Sequence, residues 1–183
     1  MKFFLKLKHW QLFGLLICIF IISVIVAMIG SALVQDSEMR IIMLVVIMIL
    51  TVLLFYCVFF GWAYTLGKNL NKKLPDTVKM NLKKLKYCLL ISVVSMVFAY
   101  TIIIVAGVGK SYLAFLPLFQ LVALFCVFYI FYFNAKSLKA VELQRPVTFG
   151  DYIGEFFLLL FFPIGVWIIQ PRINKIFEAK EKE

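Results

Sequence analysis

What this chain withholds over most of its length is charge. Four stretches, 12–34, 41–66, 87–108 and 112–133, contain no Lys, Arg, Asp or Glu. Each is long enough to cross a hydrocarbon core, which takes roughly 20 helical residues. Hydrophobic residues make up 64% of the sequence and the mean hydropathy is +1.04, well above the roughly 45–50% apolar content of ordinary globular chains. The expectation is an all-α integral membrane protein folded as one membrane domain over residues 1–183. Its core would be a four-helix transmembrane bundle built from two hairpins.

Other absences narrow the function. Histidine occurs once, at His9, so no serine has the base that nucleophilic hydrolysis needs, and His9 itself reads as a solvated or interfacial side chain. Acids are few, and Asp151 and Glu155 form an isolated pair, too little for two-metal or glycosyl-transfer chemistry. The four cysteines, Cys18, Cys57, Cys88 and Cys126, lack CxxC spacing and imply neither a disulfide framework nor a soft-metal site. Cys18, Cys57 and Cys126 share a depth of about 12–15 Å at 1.5 Å per residue and are read as small core residues. No cofactor, metal or catalytic residue is expected, and the protein is read as no enzyme. Spans without charge also argue against proton- or ion-coupled transport, which relies on intramembrane acids and bases.

What the chain does have is lysine. Nineteen Lys and Arg stand against nine Asp and Glu, and seven of the lysines fall between 68 and 86: Lys68, Lys72, Lys73, Lys79, Lys83, Lys84 and Lys86, with Asp76 the single acid among them. All basic residues except Arg40 and Lys110 lie in this loop or in the terminal regions. The positive-inside rule then places both termini and the loop in the cytoplasm, and compactness suggests a bacterial inner membrane. Lysines flanking apolar spans meet anionic headgroups. They make nucleic acid a poor partner for this chain, and a membrane-protein partner or homo-oligomer a better one.

Along the chain, Met1–Gln11 suits a short interfacial amphipathic segment, and the uncharged run to Gln35 exceeds a signal-peptide core of about 7–15 residues. Trp62 and Tyr64 fit an aromatic belt ahead of Lys68. Pro75, Asp76 and Thr77 supply helix-start chemistry for a basic amphipathic helix feeding the third span. In the fourth span Pro117 frees a backbone carbonyl, and Gln120, three residues on, would bond a neighbouring helix, or else bind a ligand or line a pore. The span is expected to continue as helix and to end before Arg145 and Pro146.

The last region, 134–183, is assigned to the cytoplasmic face. Thr148 and Asp151 match a capping box. The apolar run that follows is broken by Pro163 and Gly165, and its charge-free part, Phe156 to Ile169, is too short for a comfortable crossing. A broken interfacial or re-entrant helix is expected, with a fifth short span as the alternative. Glu155 stands at its entrance, where Lys136, Lys139 or Arg145 could pair with it. Glu155, Pro163 and Gly165 are therefore the leading functional candidates. The tail is expected to form a separate short helix with Ile173, Ile176 and Phe177 on one side.

Two echoes suggest a parallel duplication: Lys6-Leu7-Lys8-His9 with Lys84-Leu85-Lys86-Tyr87, and Tyr64, Lys68 and Leu70 with Tyr132, Lys136 and Leu138. The function expected is a non-enzymatic anchoring or regulatory subunit acting through its basic face. The alternative is an oligomeric channel, pore or small transporter with a path lined by Gln120, Tyr56, Tyr129 and Tyr132.

Overall fold

A computed structural model describes residues 3–105 and 116–178, and among them every regular element is helical. A single turn, α1 (Phe3–Lys6), precedes α2 (His9–Leu33) and α3 (Ser37–Asn71). They are followed by α4 (Leu82–Val105), α5 (Leu116–Leu143), α6 (Phe149–Leu160) and α7 (Phe162–Glu178). Four helices are long and apolar enough to cross a membrane: His9–Leu33, Ser37–Asn71, Leu82–Ile102 within α4, and Pro117–Leu143 within α5. The proposed ends of the third and fourth spans between 106 and 115 lie outside the described residues.

Local chemistry sets the boundaries. Asp36 caps α3, its Oδ1 accepting from the Glu38 and Met39 amides at 2.7 and 3.1 Å, which satisfies two donors that a helix N-terminus leaves unpaired. The capping of α4 corrects the sequence reading. Asn81, not Asp76 or Thr77, accepts from the Lys83 and Lys84 amides at 3.0 and 3.2 Å. Residues 72–81 are non-helical, Lys68 lies in the last turn of α3, and Lys83, Lys84 and Lys86 open α4. The basic segment is thus two helix ends joined by a short connection, with no separate amphipathic helix.

The close-packed core gathers toward the end of the molecule that carries these lysines. Trp62, Leu66 and Leu70 of α3 meet Leu85 of α4, Ile130, Phe133 and Leu138 of α5, and Val166, Ile169 and Ile173 of α7 in one buried cluster. Trp62 is only 1% exposed, so it belongs to no aromatic belt. Its ring lies edge-on to Phe162 at 5.0 Å. Toward the other end the helices offer apolar side chains outward, as at Phe20, Met28, Ile42 and Leu50.

The broken segment is a helical hairpin. α6 stops at Leu160 and α7 restarts at Phe162, so the break falls at Phe161, just ahead of Pro163. Pro163 has no N–H for the Leu159 carbonyl and its ring would strike that carbonyl, so α6 cannot run through it, whereas the first turn of α7 accepts it without losing a bond. α7 then continues through Pro171 to Glu178. The described part of the tail, to Glu178, is therefore continuous with α7 and not a separate helix, and Ile173, Ile176 and Phe177 pack on the core.

Candidate functional site

The side chains with the most polar chemistry meet where α5, α6 and α7 converge. Gln144 turns the chain out of α5 in a left-handed conformation, φ 49°, a position glycine more often fills. The box expected at α6 forms: the Thr148 amide and hydroxyl both donate to Asp151 Oδ2, at 2.8 and 2.9 Å. Arg145 bonds Asp151 Oδ1 at 3.2 Å. Hydrogen bonds from Thr148, with Arg145 close by, hold the Asp151 carboxyl below its usual range.

This turn lays α6 along α5 and brings Glu155 against Lys139 at 3.1 Å, a partner foreseen in the sequence. The stronger partner was not foreseen. Arg172 of α7 grips Glu142 of α5 with Nε to Oε1 at 2.7 Å and Nη2 to Oε2 at 2.5 Å, and the same Nη2 reaches Glu155 at 2.7 Å. Two bases and two acids thus join three helices, with the Glu155 side chain only 8% exposed. Of the other expected partners, Arg145 serves Asp151 and Lys136 bonds the Tyr132 hydroxyl at 3.0 Å.

Burial alone would push the Glu155 carboxyl up, but the hydrogen bonds from Arg172 and Lys139 outweigh it and hold the group below its ordinary value of 4.5. The folded state therefore binds the proton less readily than the unfolded chain, and the stability the cluster contributes is complete above that value and fades as pH falls through the folded one. We expect the thermal unfolding midpoint in mild detergent to stay flat from about pH 7 to 5 and to drop below about 4.5. A drop already between about pH 7 and 6 would contradict this assignment.

A second polar knot was invisible in the sequence. Gln170, fully buried on α7, accepts from Trp62 Nε1 at 3.0 Å and donates to the Phe4 and Leu7 carbonyls at 3.0 and 2.9 Å. Asn174 also donates to the Leu7 carbonyl, at 3.2 Å. The backbone at Leu7 and Lys8 lies outside any helix, and these side chains bond carbonyls on the α1 side of that break. His9 follows at once, its ring 4.8 Å from that of Trp167. Nothing in the pattern around Gln170 would have singled it out.

The lysines divide. Lys73 turns inward, donating to the Ile176 carbonyl and lying 4.5 Å from the centre of the Phe177 ring, and Lys68 stands over Tyr64. Lys72, Lys79, Lys83, Lys84 and Lys86 are exposed and make no side-chain hydrogen bond or ion pair with any described residue. One echo of the duplication is repeated in space: Lys136 stands over Tyr132 as Lys68 does over Tyr64, and Leu70 and Leu138 are both fully buried. The other is not, since Leu7 and Lys8 interrupt the helix where Leu85 and Lys86 continue it.

Pro117 and Gln120 lie apart from this end. Pro117 is the second described residue of α5, and the carbonyl it would free, four residues earlier, lies outside the described residues. Gln120 makes no side-chain hydrogen bond with a described residue, contrary to the expected helix–helix contact, and lines a groove of about 560 Å³ with Tyr56 and Ser92. Tyr129 and Tyr132 do not line it. The thiols part too: Cys126 is buried, whereas Cys18 and Cys57 are exposed and so are not core residues. Among the described residues no three His, Cys, Asp or Glu side chains gather as metal ligands.

No protein-family model, curated protein or solved structure matches this chain. The class it defines is an all-helical protein with four helices of membrane-spanning length and composition.

Proposed function

We propose that the protein is a non-enzymatic integral membrane subunit, anchoring or regulating a partner from a basic cytoplasmic rim that holds anionic headgroups. The observation that carries this reading is the set of five exposed lysines without an ion-pair partner among the described residues, Lys72, Lys79, Lys83, Lys84 and Lys86, around the entry to α4. Lysines near an anionic surface each contribute about 1 kcal/mol. A cluster of this size therefore discriminates between headgroups.

The same-side placement of loop and termini is supported by contacts at one end of the molecule. Gln170 of α7 holds the carbonyls of Phe4 and Leu7, and Lys73 holds that of Ile176. In a bacterial inner membrane that end would face the cytoplasm. α6 and α7 would then form a re-entrant hairpin, entering and leaving on the side of the lysines, with Phe157, Phe161 and Ile164 exposed to lipid near its tip. Its non-helical backbone is confined to Phe161, whose amide bonds the Phe157 carbonyl at 2.8 Å and whose carbonyl accepts from Gly165 at 2.9 Å. Backbone at membrane depth must be satisfied in this way.

The test is lipid retention by the purified chain. With all five lysines changed to Gln, native mass spectrometry should show the preference for phosphatidylglycerol over phosphatidylcholine collapsing toward parity. An unchanged preference would overturn the reading. The pore alternative keeps only Tyr56 and Gln120 on a common surface, and would be favoured by a closed ring of several copies in the same spectra.

A further inference from the structure

The groove at Gln120 has a shape that selects its occupant. Its walls are Tyr56 and Phe60 of α3, Ser92 and Met96 of α4, and the α5 face from Pro117 to Val127. Along α5 that face is about 15 Å long at 1.5 Å per residue. The volume of about 560 Å³ spread over that length makes an open slot that a single extended hydrocarbon chain can follow.

Depth agrees with that occupant. The rings of Phe59 and Phe131 meet edge-on at 5.9 Å, which sets α3 and α5 in register. Phe59 stands about 13 Å along α3 from Lys68, near the middle of a hydrocarbon core about 30 Å thick. Gln120 lies about 16 Å beyond Phe131 along α5. The groove therefore runs from the midplane to the boundary of the leaflet opposite the lysines, the length of one lipid tail.

Polarity agrees as well. At the deep end the Ser92 hydroxyl is already committed to the Cys88 carbonyl at 2.9 Å, leaving that end to methyl and methylene groups. At the mouth the Gln120 amide has no partner among the described residues, at the depth where glycerol ester carbonyls lie. We propose that this groove is a binding site for one acyl chain of a glycerophospholipid of that leaflet, with Gln120 donating to the ester carbonyl.

The inference rests on the membrane-spanning reading above, and the experiment separates the two. The full chain is placed in nanodiscs of dioleoylphosphatidylcholine containing a small fraction of phosphatidylcholine with a diazirine at the end of one tail, then irradiated and mapped. Adducts are expected at Phe60, Ser92 and Val127. Leu124→Trp, which fills the slot, should abolish them while leaving adducts on the exposed α2 residues Phe20 and Ile25. Gln120→Leu should lower lipid retention about fivefold, the equivalent of one lost hydrogen bond, and Gln120→Asn should keep part of it.

Groove adducts that survive Leu124→Trp at the level of those on α2 would reduce the site to ordinary annular lipid and overturn the proposal. Groove residues without adducts in a chain that runs as a dimer would overturn it in favour of a second copy. Absence of adducts on α2 as well would instead overturn the membrane-spanning reading.

Discussion

Alanine at position 165 is expected to force α6 and α7 apart. A Cβ built on Gly165 overlaps the Leu158 carbonyl oxygen and its carbon, and because both sides of the contact are backbone, no rotamer change relieves it. Overpacking of this kind costs about 3 kcal/mol. Gly150 and Gly154, on the same hairpin, have open space at the Cβ position, so alanine there should be neutral or slightly stabilising through its better helix propensity. Thermal unfolding in mild detergent, with trypsin cleavage at Arg172 and Lys175 as a local readout, compares the three variants. Equal stability of the Gly165 and Gly154 variants would contradict the close approach.

The second large effect is expected at Arg172. Changing it to Met removes both bonds to Glu142 and the 2.7 Å bond to Glu155, and leaves two acids facing each other with only Lys139 between them. Removing one partner of this partly buried cluster, in which only Glu155 is nearly sealed from solvent, costs about 2 kcal/mol, because that acid stays desolvated. Arg172→Lys cannot reproduce the fork on Glu142 and should fall between. Adding Glu155→Gln to Arg172→Met should recover part of the loss, since the charge left behind is then gone. An Arg172→Met protein as stable as the parent would show that the cluster contributes nothing to holding the hairpin.

These two sites also mark how far the sequence could be read. The uncharged runs made all four long helices legible, because a helix of that length without charge has few alternatives to a bilayer. The capping box at Thr148 and Asp151, and the Gly and Pro that break the last apolar run, are local signals and were legible for the same reason: neighbours in sequence make the contact. Arg172 reads in the sequence as one more basic residue of the terminal region, since its partners lie 17 and 30 residues away and only the hairpin brings them together. Gln170 and Trp62 failed likewise. A Trp near lysines satisfies the aromatic-belt pattern, yet its indole N–H found Gln170, 108 residues on. Asp76 misled because acid and proline beside a basic run imitate a helix start, while Asn81, closer to the apolar residues, did the capping.

The proposed function requires the lysine segment and both ends of the α6–α7 hairpin to face one side of the membrane. In a background with Cys18, Cys57, Cys88 and Cys126 replaced by Ala, single cysteines at Asp76, Lys175 and Phe161 would be reacted with a membrane-impermeant maleimide, in sealed and in permeabilised vesicles of one known orientation. Asp76→Cys and Lys175→Cys are expected to label from the same side, and Phe161→Cys from neither. Lys175→Cys labelling from the face opposite Asp76→Cys would make α6 and α7 a fifth crossing and contradict the proposal.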